Sequence, residues 1–352
     1  MTPDSKSTSP QSSQPDSQPS GQPSGNTISR AIARLKPYLR WVILGGTLFF
    51  VVHTLRLHWR EVAAIRIDAQ GWGYVAIALG ITLLAHIWAG WVWGWILREL
   101  GYTALGTWSI FAYLKTNVAK YLPGNVWHFY GRVMAAKSMG VPLEGAALSV
   151  VMEPLLMAVS ALLVAFVSNQ QINLSLQLMG LLLGLGLVHP RVLNPVLKKL
   201  AKAKSKGRPP QSDNAIERQE ESRDLSPSPP AVRLKHYPVI PLLGELIFLG
   251  LRGAGFVWAI AALQPVSVAQ IPSLLSAFSL AWMLGLVVPG APGGIGVFEA
   301  TALALLDGVV PSGVLLGGVA FYRLISTLAE AIGAALAWGI ERLGLGPSES
   351  ST

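Results

Sequence analysis

Charged side chains inside otherwise apolar stretches are the residues of this sequence that could do chemistry. An ionised side chain at membrane depth costs about 2.5–3.5 kcal/mol on insertion scales, so each one needs a partner or a ligand. The candidates are Arg132, Glu153, Glu245, Arg252, Glu299, Asp307, Arg323 and Glu330.

Two of these arginines, Arg132 and Arg323, are the first candidates for contacting a phosphate. A guanidinium presents a planar fork of donors that suits phosphate as well as carboxylate. Arg323 is also expected to pair with Glu153, because the two charges are opposite and each stands near the twelfth residue of a long predicted helix.

Two further pairs share a helix face. Seven residues separate Glu245 from Arg252 and Arg323 from Glu330, a spacing of two helical turns. These four residues either pair within their own helix or, as we favour, find partners on other helices. A purely structural role for them weighs about as much as a functional one, since buried charges are normally paired.

Two short motifs interrupt the apolar segments with helix-breaking residues. Proline removes a backbone donor and glycine loosens the chain. Broken backbone at membrane depth persists only where it is buried in protein or lines a wet cavity. The second motif has two possible roles. Its backbone N–H groups could form the N-terminus of a short helix, which attracts anions. Alternatively, its glycines only permit close helix packing. The motif residues are Lys120, Tyr121, Pro123 and Gly124 in the first, and Pro289, Gly290, Gly293, Gly294 and Glu299 in the second.

The composition is that of a membrane protein. Hydrophobic residues make up 51% of the 352 positions and charged residues only 13%, whereas a soluble domain carries roughly 25% charged residues. The net charge of +9 is concentrated around 30–40 and 191–208. That distribution is typical of cytoplasmic loops and not of a nucleic-acid-binding surface. The absence of cysteine excludes disulfides and thiol chemistry.

The predicted fold is all-α, a polytopic membrane protein of about seven spanning helices and two re-entrant broken segments. The domains are a disordered tail at 1–36, the first membrane half at 37–189, a basic Pro/Ser-rich linker at 190–237, the second membrane half at 238–341 and a C-terminal tail at 342–352. The spans are predicted at 37–55, 72–97, 142–167, 172–189, 239–263, 267–288 and 311–340, and the re-entrant segments at 99–141 and 289–310.

The order of features in the two halves predicts two parallel repeats. In each half a Pro-Gly break is followed by a second Pro-containing turn, near 140–145 and 309–313, and then by a long helix. An even number of predicted spans separates the breaks, so the repeats share one orientation. Interrupted segments at matching positions in two halves point to the binding site of a transporter.

The basic flanks predict the orientation. The N-terminus and residues 190–237 are expected to be cytoplasmic, with both re-entrant segments entering from that side. The membrane is expected to be the plasma (inner) membrane, which the chain crosses several times.

The motifs resemble those of a known family, the flippase-like transmembrane domain of lysylphosphatidylglycerol synthases and its stand-alone relatives. The resemblance covers about residues 40–340. It implies the membrane-embedded, lipid-translocating part of such a synthase, without the soluble aminoacyl-transfer domain that follows in full-length synthases. The matching residues are Lys120-Tyr121-Leu122-Pro123-Gly124 with Gly131-Arg132, and Pro292-Gly293-Gly294-Ile295-Gly296-Val297-Phe298-Glu299, with Arg323 downstream.

The sequence therefore predicts a membrane protein that binds, and is expected to translocate, a phospholipid or a lipid-linked headgroup. Two alternatives stay open: the membrane part of an enzyme acting on a lipid-linked substrate, and a non-transporting membrane scaffold. The residues expected to line the headgroup site are Arg132, Glu153, Gly293, Gly294, Glu299 and Arg323.

Catalysis, cofactors and metals are not predicted. The histidines His86, His128 and His189 are isolated and lack the spacing of a metal site, so they are interpreted as core or interface histidines. The serines have no His-Asp companions, and no phosphate-binding loop of an ATPase occurs. The expected partners are membrane phospholipids, not nucleic acid, and a homo-oligomer or a separate partner enzyme is left open.

Overall fold

All regular structure in the described part of the chain is helical. The computed structural model describes residues 66–102, 106–121, 126–168, 174–192, 236–288 and 296–347, together with positions 56, 60, 194, 195, 234 and 294. The predicted all-α class is confirmed within these ranges. The helices are α1 Ala69–Glu99, α2 Trp108–Asn117, α3 Trp127–Ser138, α4 Leu143–Ser168, α5 Leu174–Val188, α6 Val239–Ala261, α7 Ile271–Val287, α8 Val297–Leu305 and α9 Ser312–Arg342.

Within the described ranges, five helices are long and apolar enough to cross a membrane, which confirms a polytopic membrane protein. They coincide with five of the predicted spans. The predicted span 172–189 corresponds to α5, which has only 15 residues, fewer than the roughly 20 that a crossing helix needs. The predicted first span, 37–55, lies outside the described residues. The five are Ala69–Glu99, Leu143–Ala165, Val239–Ala261, Val268–Val287 and Ser312–Arg342.

The two motif regions are described only at their edges. In the first, a 3-10 turn at Val118–Tyr121 extends α2, and α3 begins at Trp127. The motif residues Pro123, Gly124, Pro289, Gly290 and Gly293 lie outside the described residues. The re-entrant path of both segments therefore stays a prediction.

Local sequence explains how the long helices begin and where one is weakened. Asp68 caps α1, and its Oδ1 accepts a hydrogen bond from the Gly71 N–H at 2.7 Å. This satisfies one of the free backbone donors at the helix start. Pro154 lies inside α4, directly after Glu153, and removes one intrahelical donor. The backbone of α4 therefore lacks one intrahelical hydrogen bond directly beside the buried Glu153 carboxyl group.

Helix α1 lies at the centre of the packing. It runs along α6 and also contacts α2, α4 and α9, while α7 packs against α4 and α8. Gly90 lets α1 and α2 approach closely, because a Cβ at this position would stand 2.7 Å from Ile110 Cα. The packed helices thereby position three groups of charged side chains.

Aromatic rings join the four helices of the second half. Phe256 of α6, Phe278 of α7, Phe298 of α8 and Tyr322 of α9 lie with ring centroids 5.5–6.1 Å apart. Most of these contacts are edge-to-face, the arrangement that aromatic pairs favour. Phe298 therefore anchors the short helix α8 to α6 and α7, which also hold Tyr322 of α9.

Candidate functional site

The first buried ion pair joins α3 to α4. Arg132 donates from Nη1 to Oε2 of Glu153, whose other oxygen accepts from the Tyr113 hydroxyl at 2.9 Å. The Arg132 and Glu153 side chains are 4% and 2% exposed. The guanidinium also lies 4.6 Å from the centre of the Tyr113 ring. Because both charges are removed from solvent, each depends on the other.

The second ion pair joins α8 to α9 and is more accessible. Arg323 Nε donates to Glu299 Oε1 at 2.8 Å, and Arg323 Nη2 donates to the Gly294 carbonyl at 3.0 Å. The Arg323 side chain is 30% exposed and the Glu299 side chain 12%. The Phe298 ring centre lies 5.2 Å from the guanidinium carbon. The guanidinium is thus held in position on a side chain that is still partly exposed.

Glu299 also shapes the start of α8. Its Oε2 accepts from the Gly296 N–H at 2.5 Å, and Gly296 has a φ of +86°, a conformation that glycine adopts without strain. The Glu299 carboxylate therefore accepts hydrogen bonds from a backbone N–H at the start of α8 and from the Arg323 guanidinium on α9. The anion-binding position at this N-terminus is filled by the protein's own Glu299.

Gly294 makes a close backbone contact. A Cβ on Gly294 would stand 3.0 Å from Gly285 Cα, and its φ is +71°. The close-packing role for this glycine is thus present in the structure. Its headgroup-binding role, and that of Gly293 outside the described residues, stay predictions.

The predicted pairing of Glu153 with Arg323 is wrong. Glu153 pairs with Arg132, 21 residues earlier, and Arg323 pairs with Glu299, 24 residues earlier. In each half the short helix precedes the long helix and packs against it. A partner on the adjoining short helix is therefore nearer than one in the other half.

A third group of charges joins α1, α6 and α9 to the 3-10 turn. Lys120 Nζ donates to Glu330 Oε1, which also lies 3.2 Å from His86 Nε2. Arg252 Nη1 lies 3.2 Å from the same His86 nitrogen and donates to Ser326 Oγ at 2.9 Å. We call these five residues the central cluster. Its basic groups are Lys120, Arg252 and His86, and its one acidic group is Glu330.

The central cluster is built on helix interfaces that the sequence indicated only in part. The expectation that Arg252, Arg323 and Glu330 have partners on other helices is confirmed. The same expectation is wrong for Glu245, whose carboxyl oxygens have no hydrogen-bond partner. The role of His86 was missed, because it was interpreted as an isolated core histidine. Its position in an apolar helix, with no acidic residue near it in sequence, gave no signal of the partners on α6 and α9.

Glu245 of α6 differs from every other charged candidate. It is 0% exposed, and neither carboxyl oxygen has a hydrogen-bond partner. It lies within electrostatic reach of Arg132 and Glu153. Asp307, by contrast, is exposed in the turn after α8 and is not a buried charge.

Other polar features are located at the surface. Lys115 and Glu341 form an ion pair at 2.6 Å whose side chains are 31% and 33% exposed. Glu341 also lines a cavity of about 490 Å³ with Trp338 and Arg342 at the end of α9. An exposed pair contributes little stability, and this cavity contains none of the buried charges. Within the described residues, no group of three His, Asp or Glu side chains is placed to hold a metal ion.

Helices of membrane-spanning length that enclose charged side chains define the class, a polytopic helical membrane protein with a polar interior. Residues 28–333 match the family described as the lysylphosphatidylglycerol synthase TM region. The match extends over most of the chain, so the protein belongs to this family, as the two motifs indicated. No curated protein matches the chain.

Proposed function

We propose that this protein binds the phosphate of a phospholipid or lipid-linked headgroup beside α8 and α9, and translocates that headgroup across the membrane. The observation that carries the proposal is the Arg323 side chain, which remains 30% exposed while Glu299 holds it. Charge in lipid is costly and usually functional. An arginine fork suits a phosphate.

Arg132 is proposed as a second, deeper phosphate contact. Its side chain is 4% exposed and its partner Glu153 is 2% exposed. A headgroup would therefore meet Arg323 first, and it would reach Arg132 only after α3 and α4 separate. Two arginines at different depths provide successive positions for one phosphate during its passage.

The finer architecture belongs to the same proposal. We infer seven spans, two re-entrant segments and two parallel repeats, supported by the matching pairs Arg132–Glu153 and Glu299–Arg323. Each pair joins a short helix to the long helix that follows it. Gly293, Gly294 and the Pro-Gly breaks would line the groove between the repeats. Such an arrangement places a binding site at the repeat interface.

The remaining parts of the proposal follow from family and charge. Membership in the lysylphosphatidylglycerol synthase TM family supports a phospholipid as the partner. We propose a transporter and not an enzyme, located in the plasma (inner) membrane with residues 190–237 cytoplasmic. The basic residues at 191–208 support this orientation.

Binding of a water-dispersible phospholipid tests the site. Purified full-chain protein in detergent is titrated with short-chain phosphatidylglycerol, followed by calorimetry. Arg323→Gln is expected to weaken binding roughly 10-fold or more, since a hydrogen bond to a charged group is worth about 1.5–3 kcal/mol. Arg98→Gln, at an exposed arginine ending α1, is the control and keeps wild-type affinity. Equal affinity in wild type and a folded Arg323→Gln protein would overturn the site.

A further inference from the structure

The feature that the proposed function leaves unused is the Glu245 carboxyl group. It lies on α6 with 0% exposure, and both oxygens lack a hydrogen-bond partner. The adjoining Gly244 carbonyl accepts from the Trp88 indole N–H at 2.8 Å, which fixes α6 against α1 at this level. A carboxylate buried without a hydrogen bond is among the costliest states of a protein side chain.

The charges around Glu245 do not balance. From α3 comes one cation, Arg132, and from α4 one carboxyl group, Glu153, which already holds that cation. From α2 comes the Tyr113 hydroxyl, which donates to Glu153. On its own helix, Arg252 lies two turns away and is engaged by His86 and Ser326. Among the residues that the structure describes, the remaining carboxyl group, Glu245, therefore has no cation of its own.

We infer that Glu245 and Glu153 form a proton-binding site in which two buried carboxyl groups and the single Arg132 guanidinium share one proton. In the proposed arrangement the proton is a covalent O–H on Glu245, and Glu153 is the carboxylate paired with Arg132. Release is the simple step CO₂H to CO₂⁻ plus H⁺. It requires a cation to reach Glu245 or the proton to pass to Glu153.

A proton fits this site better than a metal cation. A sodium or magnesium ion needs several oxygen ligands, and among the described residues no group of three His, Asp or Glu side chains is placed to hold a metal ion. A proton needs one oxygen. Two buried carboxyl groups within electrostatic reach of each other hold a proton, because ionising both of them in a site of low polarity is costly.

The site has a consequence for transport that rests on the proposed function. If a phosphate takes Arg132 from Glu153, two buried carboxyl groups lose the one cation that the described residues bring to them, and proton uptake by Glu153 offsets the loss. Phosphate binding and proton binding are then thermodynamically linked, and the linkage acts in both directions. A proton gradient would thereby be able to drive headgroup movement.

Infrared spectroscopy of the full chain in lipid nanodiscs tests the proton site without lipid transport. At neutral pH the wild type is expected to show the C=O stretch of a protonated carboxyl group, which shifts on transfer to D₂O. The band is expected to be lost in Glu245→Gln and kept in Glu144→Gln, where the carboxylate is exposed. A band unchanged in Glu245→Gln would overturn the proposal.

A second variant covers the case in which Glu245→Gln does not fold. In Glu153→Gln the intact Glu245 is the sole nearby carboxyl group for Arg132, so Glu245 ionises and the same band is lost. A band that persists in Glu153→Gln would contradict a shared proton. A wild-type band that appears only after sodium is removed would identify a metal cation and would also overturn the proposal. Failure of phosphatidylglycerol binding, in contrast, affects only the proposed function.

Discussion

Arg323 of α9 donates from Nε to Glu299 of α8 at 2.8 Å, and this pair reverses the charge order of the pair between α3 and α4. In the first half the short helix carries the cation, Arg132, and the long helix the carboxylate, Glu153. In the second half the positions of the charges are exchanged. An ion pair joins the short helix to the long helix in both halves, whichever helix carries the cation. The pair itself, and not its orientation, therefore holds the two helices together.

Breaking the buried Arg132–Glu153 pair is expected to lower the free energy of unfolding strongly. Arg132→Gln leaves the buried Glu153 carboxylate without its cation and is expected to cost about 3–5 kcal/mol. The measurement is denaturant unfolding in detergent. Exchanging the two residues, Arg132→Glu with Glu153→Arg, is expected to recover part of the loss. Two single-variant losses that simply add in the double variant would show that the residues are not coupled.

The central cluster allows a matched comparison between a buried and an exposed Lys–Glu pair. Glu330 is 1% exposed beside Lys120, whereas Glu341 is about one third exposed beside Lys115. Glu330→Gln is expected to cost about 3 kcal/mol or more because it strands buried cations. Glu341→Gln is expected to cost about 0–1 kcal/mol. Equal midpoints of thermal unfolding for the two variants would contradict the assignment of Glu330 as the shared acceptor.

Sequence reasoning predicted the class, the position of five spans and the identity of most buried charges, because those depend on composition and spacing. Arg132, Glu153 and Arg323 were all found as ionisable groups in apolar segments. Their pairing was not predicted correctly, because it depends on which helices are in contact with each other. The expected cross-pair Glu153–Arg323 assumed that the repeats meet at these residues, whereas each long helix contacts its own short helix first.

His86 and Tyr113 show a second limit. Each hydrogen-bonds or contacts charged groups on helices far away in sequence, and neither stands in a motif. The predicted role of His86 as a core histidine was correct for its burial but omitted its two charged neighbours. Glu245 was found by its charge alone, and its missing hydrogen bonds are visible only in the packed structure.

The contact between Gly285 and Gly294 gives a prediction on packing. Gly294→Ala is expected to destabilise more than Gly285→Ala, because position 294 has a φ of +71° as well as a Cβ distance of 3.0 Å to Gly285 Cα. Gly250→Ala is the control, since nothing lies within 4 Å of a Cβ there. It is expected to stabilise by about 0.5–1 kcal/mol through helix propensity. Unfolding in detergent measures all three, and a Gly294→Ala protein as stable as the wild type would contradict the contact.

The orientation predicted from the basic linker is tested by a reporter inserted near position 215. The lysines and arginines at 191–208 are expected to keep this segment on the cytoplasmic side. A single introduced cysteine near the same position is expected to react with an impermeant reagent only after the membrane is opened. Labelling of intact cells from outside would reverse the orientation of every span after it.

Translocation of a labelled phospholipid in liposomes tests the central claim most directly. Vesicles that contain the protein and a headgroup-labelled phosphatidylglycerol are treated with an impermeant quencher. The wild type is expected to expose label from the inner leaflet, and Arg98→Gln is expected to do the same. Arg323→Gln is expected to remain at the level of protein-free vesicles, because the accessible phosphate contact is lost. Wild-type quenching by a folded Arg323→Gln protein, or no inner-leaflet quenching by the wild type, would contradict the account.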